Sequence, residues 1–122
     1  MTSHTRPFEV LKILKNELPQ CFKKGGGRIP LMLGIHADVI EHYKNDHRFN
    51  SSAIRHAIGL YVSSTAYLKK MIAGTHRINL KGKRNGVVTE EESRTAKKLI
   101  AERKNKKRLA KNNLKLRDFV IQ

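Results

Sequence analysis

Five residues in the middle of the chain carry most of its chemistry: Arg55, Ser63, Ser64, Tyr67 and Arg77. A helix beginning at Ser63 and Ser64 presents free backbone N–H groups, the positive end of its dipole and two hydroxyls, a combination that suits a phosphate. Tyr67, one turn on, offers a ring with a polar tip, fit for an unpaired base or a ribose. Arg55 and Arg77 can each grip a pair of phosphate oxygens through charge-assisted bonds. Tyr61, on the same apolar stripe as Ile54 and Ile58, and Arg28, beside a glycine run, complete the candidate set. Plainer roles stand beside these: the serines could simply cap a helix, and Tyr67 could simply fill the core.

The charge balance favours such a reading. The 122 residues hold 26 Lys and Arg against 10 Asp and Glu, a net charge of +16, so the chain attracts polyanions. The charge is not confined to a tail: residues 94–122 carry 11 bases against 2 acids, and residues 1–93 carry 15 against 8. Seven aromatics with no Trp argue against a broad stacking platform and for a small pocket within a basic surface.

Other chemistries find no support. The acids are spread thinly apart from the run Glu90-Glu91-Glu92, and Ser63 and Ser64 lack the glycines of a nucleophile elbow, so no enzyme is expected. Gly25-Gly26-Gly27 lacks the Gly-Lys-Ser/Thr ending of a phosphate loop and reads as a flexible linker. His36, His42 and His47 have neither i, i+4 spacing nor a cysteine pair, so no metal and no cofactor is expected. Cys21 is the sole cysteine, which suits a reducing compartment. The leading residues have no secretory apolar stretch, and no apolar run nears the ~20 residues that span a bilayer. A cytoplasmic protein without a membrane partner is expected.

The elements that must position these residues follow from periodicity. Phe8, Leu11, Leu14 and Leu18 predict an amphipathic helix, with Pro7 near its start and Pro19 ending it. Ile35, Val39, Ile40 and Tyr43 predict a second, through about Asp46. Asn50, Ser51 or Ser52 caps a third, whose stripe is Ile54, Ala57, Ile58 and Tyr61, with Arg55 at the core's edge. The β-branched, hydroxyl-rich Val62-Ser63-Ser64-Thr65 predicts a break, then a helix from Ser64 to about Ile72 that ends at Gly74. Arg77 to Leu80 and Val87-Val88 predict a β-hairpin around the basic turn Lys81–Gly86. Thr89 and Glu92 form a capping box for a last helix, whose apolar face of Ala96, Leu99 and Ile100 fades after Arg103, where the last turns project from the body as a basic helix that frays. Phe119, Val120 and Ile121 either dock back or stay free. The expected organisation is a body over residues 1–103 and an extension over 104–122.

Several blocks, in order, resemble the FinO/ProQ family of bacterial RNA chaperones. They are Leu18-Pro19-Gln20-Cys21-Phe22, Pro30-Leu31-Met32-Leu33-Gly34-Ile35, the segment from Ile54 to Tyr61, Ser63 to Leu68, and Gly74 to Gly82 followed by Gly86-Val87-Val88. The chain departs from the family at Met32, often lysine there, at Gly59 and Ala66, arginine in some members, and at Thr65, often tryptophan. The resemblance implies a mainly α fold with a small β-hairpin. It also implies binding of structured RNA, especially a terminator-type hairpin with a single-stranded U-rich 3′ tail. Such a protein protects RNA 3′ ends and assists RNA–RNA pairing, as a single-domain monomer with no small-molecule substrate. Arg55, Tyr67 and Arg77 fall on the family's RNA-contacting positions, and Ser63 and Ser64 on a capped helix start near the RNA 3′ end. Two other readings of the charge are a small DNA-binding protein and a ribosome-associated structural protein.

Overall fold

The structure, a computed structural model, describes residues 6–121, with side-chain surroundings described for residues 6–113. Helices α1 (Pro7–Glu17), α2 (Ile35–His42), α3 (Ser51–Ser63) and α4 (Thr65–Leu68) precede strands β1 (His76–Ile78) and β2 (Arg84–Val87), and α5 (Glu90–Ile121) closes the chain. The fold is mainly α with a small β-hairpin, as the sequence predicts.

Helix α3 is the hub, packed against α1, α2 and α4. Its Ile54, Ala57, Ile58 and Tyr61 are buried as one stripe. Asn50 caps it, its Oδ1 accepting the Ala53 N–H at 2.8 Å. On α1 the buried residues are Val10, Leu11 and Leu14, while Phe8 is 71% exposed. That corrects the predicted stripe. Steps of three residues lag the 3.6-residue turn, so Phe8 rotates off the face that Leu11, Leu14 and half-buried Leu18 share. Helix α2 ends at His42, short of Asp46, with Tyr43 turning out of it and burying its ring.

The expected break after α3 falls at Ser64, but the helix beyond it is four residues long and does not reach Ile72. Such an element is too short to serve as a recognition helix. The hairpin is present, with its second strand beginning at Arg84, earlier than predicted. Asn79 organises the turn: its Oδ1 accepts the N–H groups of Lys81 and Lys83 at 2.9 and 3.0 Å. Residues 30–32 run beside β1, where Ile78 N–H donates to Pro30 O at 2.9 Å and Met32 N–H to Ile78 O at 2.8 Å. This pairing carries Leu31 to the centre of the site described below.

The capping box forms as predicted. Thr89 N–H donates to Glu92 Oε1 at 2.9 Å, and Glu92 N–H to Thr89 Oγ1 at 3.1 Å. Ser93 and Ala96 then bury against the body. The expected basic C-terminal helix is present: α5 runs on to Ile121, with every described side chain from Lys104 to Asn113 exposed. The side chains of Phe119, Val120 and Ile121 lie outside the described residues. Among the described residues no helix is long and apolar enough to cross a membrane.

Candidate nucleic-acid interface

The candidate residues divide into two linked groups. The first surrounds Leu31. Tyr67 Oη accepts the Leu31 N–H at 2.9 Å, and Arg77 Nη1 donates to the Leu31 carbonyl at 2.7 Å. Arg77 Nη2 reaches Glu92 Oε2 at 2.6 Å. One backbone unit is thus held on both sides by residues 36 and 46 positions away, and the arginine ties it to the start of α5. Glu92 serves twice, in the capping box and as the partner of Arg77. The Thr89 backbone N–H first, and then the Arg77 charge, hold its carboxyl below the usual range.

The second group surrounds Tyr61. Its ring, fully buried, lies edge-on to Phe22 with centroids 5.2 Å apart, and its Oη accepts the Lys23 N–H at 2.9 Å. The Arg28 guanidinium sits 4.7 Å from the Tyr61 ring centroid and donates through Nη1 to Ser64 Oγ. Ser64 Oγ also donates to Tyr61 O at 2.7 Å and accepts the Tyr67 N–H at 3.3 Å. The rings of Tyr61 and Tyr67, 5.5 Å apart, join the groups.

These placements correct several expected roles. Tyr67 is 4% exposed and Tyr61 wholly buried, so neither presents a free ring face for a base to stack on. Burial pushes both phenols above their ordinary pKa. Arg77, also 4% exposed, spends both terminal nitrogens on the protein, so it is a strut in place of an open phosphate grip. Ser64 uses its hydroxyl as a cap. Arg55 and Ser63 are exposed, and apart from a 3.4 Å bond from Ser63 Oγ to Leu60 O the structure gives them no side-chain partner among the described residues.

Next to the Leu31 group lies a cavity of about 500 Å³. Its wall is mostly apolar, including Ile58, Val62, Met71 and Leu99, with His36, Tyr67, Arg77, Glu91, Glu92 and Thr95 supplying polar side chains. Arg77 Nε is buried without a partner among the described residues. The volume lies in the range of small-ligand pockets and suits a nucleotide. Arg103 Nη1 donates to Thr65 Oγ1 at 3.0 Å, fixing α5 against the start of α4. Leu31, Glu92 and Arg103 went unremarked as site residues in the sequence. A backbone amide carries no residue-type signal, and a capping glutamate reads as complete once its cap is recognised.

A small, strongly basic helical domain, with a two-stranded hairpin and an apolar cavity walled by a buried arginine, is the class these features define. The chain belongs to the ProQ/FINO family, whose profile matches residues 5–113. It is 31% identical over 102 residues to the RNA chaperone ProQ of Idiomarina loihiensis, and 33% identical over 102 residues to that of Pasteurella multocida. Each alignment covers 84% of this chain and 49% of the relative, so the chain spans about half the length of these curated relatives. Its fold resembles the solution structure of a ProQ homolog from Legionella pneumophila, with a TM-score of 0.69 and 31% identity, over 84% of this chain and 88% of the other. NMB1681 from Neisseria meningitidis, a FinO-like RNA chaperone, shares the fold at a TM-score of 0.63 and 23% identity, over 79% of this chain and 80% of the other.

Proposed function

We propose that the protein is a cytoplasmic RNA chaperone that acts as a monomer and without catalysis. It binds a terminator-type hairpin carrying a single-stranded U-rich 3′ tail, shields the 3′ end and assists RNA–RNA pairing. The observation that carries this reading is the cavity beside Leu31. It is a nucleotide-sized, largely apolar recess set into a +16 chain. Its walls take a terminal base and sugar. Exposed Arg55 and Ser63 make phosphate contacts outside it. Arg28, Tyr61 and Ser64 hold α3 and α4 in place, acting through the fold. Family membership and the names of the relatives support RNA as the partner.

The 3′ end supplies the test. A 3′-phosphate adds about −1.5 to −2 charge. Net protein charge alone would make it bind more tightly. The cavity wall carries Glu91 and Glu92 against Arg77, whose charge is already paired with Glu92, so a terminal dianion placed there meets a net negative wall. A 3′-phosphate is therefore expected to weaken binding of the tailed hairpin about tenfold, or about 1.4 kcal/mol. The measurement is a titration of hydroxyl-ended and phosphate-ended hairpins, with an untailed hairpin and duplex DNA alongside. Equal or tighter binding of the phosphorylated RNA would exclude the cavity as the 3′-end site.

Residues 104–122 are expected to add affinity without discrimination, because phosphate contacts position RNA without reading it. Deleting them should weaken all RNAs alike and flatten the salt dependence. If the deletion instead removes the preference for a tailed hairpin, that division is wrong.

A further inference from the structure

A second cleft, sharing no residue with the Leu31 cavity, lies between α1 and the glycine turn. Lys12, Lys15, Asn16 and Lys24 line a space of about 310 Å³. Lys12, Lys15 and Asn16 stand at i, i+3 and i+4, so the helix presents them on one face. Lys24 comes from the opposite side, just before Gly25. The lining therefore carries three lysines and no acid. Of the α1 acids, Glu17 is engaged by Arg48 and Tyr43, and Glu9 lies outside the cleft. Lys15 is half-buried, and burial first, then the charges of Arg28 and Lys24, lower its pKa. The fold thus brings the charges of Arg28 and Lys24 to bear on the half-buried Lys15.

Past the glycine turn a further cleft, of about 290 Å³, is lined in part by Gly26, Gly27, Arg28 and Lys70. A Cβ placed on Gly25, Gly26 or Gly27 would meet nothing within 4 Å, so the turn between the clefts is open to close approach. We propose that the Lys12–Lys15–Lys24 cleft is a second anion site, which takes backbone phosphates of the duplex stem of a bound RNA. The inference rests on the RNA reading given above. Stem and not tail is the occupant because the lining is all amine and amide. It offers charge to a backbone and no apolar wall to a base.

The test uses the full chain and two synthetic RNAs, a hairpin with a U-rich 3′ tail and the same hairpin without it. The triple variant K12Q/K15Q/K24Q is expected to bind both about tenfold more weakly, with their affinity ratio unchanged. The slope of log K against log salt should become shallower by about two to three, since each phosphate contact contributes about 0.7–0.9. On the unaltered protein, acylation of the Lys15 amine should be slowed by either hairpin. If the unaltered protein binds neither RNA, the RNA reading itself fails. If it binds both and the triple variant matches it in affinity and slope, only this site is overturned. A loss confined to the tailed hairpin, or no protection of Lys15, also overturns it.

Discussion

Replacing Arg77 with alanine is expected to lower the unfolding free energy by about 3 kcal/mol. Breaking a buried ion pair by removing one partner costs about 3–5 kcal/mol. The Glu92 side chain keeps 30% exposure and can be partly rehydrated, which sets the lower end. The Leu31 carbonyl loses its donor in the same step. Arg77→Lys should restore little, because one ammonium cannot replace a planar fork that reaches Leu31 O and Glu92 together. Urea unfolding at constant m-value gives the figure. A loss below about 1 kcal/mol would mean the strut is dispensable. Arg55→Ala is the complementary case. Its side chain is exposed, so it should weaken RNA binding more than Lys83→Ala does and leave stability unchanged.

Tyr67→Ala should cost about as much, some 3–4 kcal/mol, because it empties a core ring site and strands the Leu31 N–H. Tyr67→Phe separates the two contributions. It keeps the packing against Tyr61 and removes only the hydroxyl acceptor, for about 1–2 kcal/mol. The phenylalanine variant should keep its preference for a tailed hairpin, since the cavity wall keeps its shape. If the alanine variant unfolded at the same urea concentration as the unaltered protein, the ring would not be part of the core.

Features settled by neighbours in the chain were legible beforehand. The Thr89–Glu92 box, the Asn50 cap and the break at Ser64 each rest on side chains bonding backbone three residues away. The roles of Arg77 and Tyr67 were not, because they depend on Leu31 and Glu92, residues far off in sequence that no local period connects. Arg77 beside a hairpin looks like an exposed cation until the residue 46 positions back is known to need a donor. The far half of α5 was legible for another reason. It has no apolar face, yet its Lys, Arg, Ala and Leu are individually strong helix formers, with Asn105, Asn112, Asn113 and the run from Asp118 to Ile121 the weaker ones.

That half of α5 alters how the molecule meets its partner in time. Eighteen residues beyond Arg103, at 1.5 Å each, carry the helix about 27 Å farther. At physiological ionic strength a charge is felt over about 8 Å. Cations mounted on a rod sample a polyanion's field well before the body's own charges can, which enlarges the capture radius. The gain falls on the rate of arrival, and it fades first as salt rises. On the proposed function, how long an RNA stays is then left to the cavity and the clefts of the body.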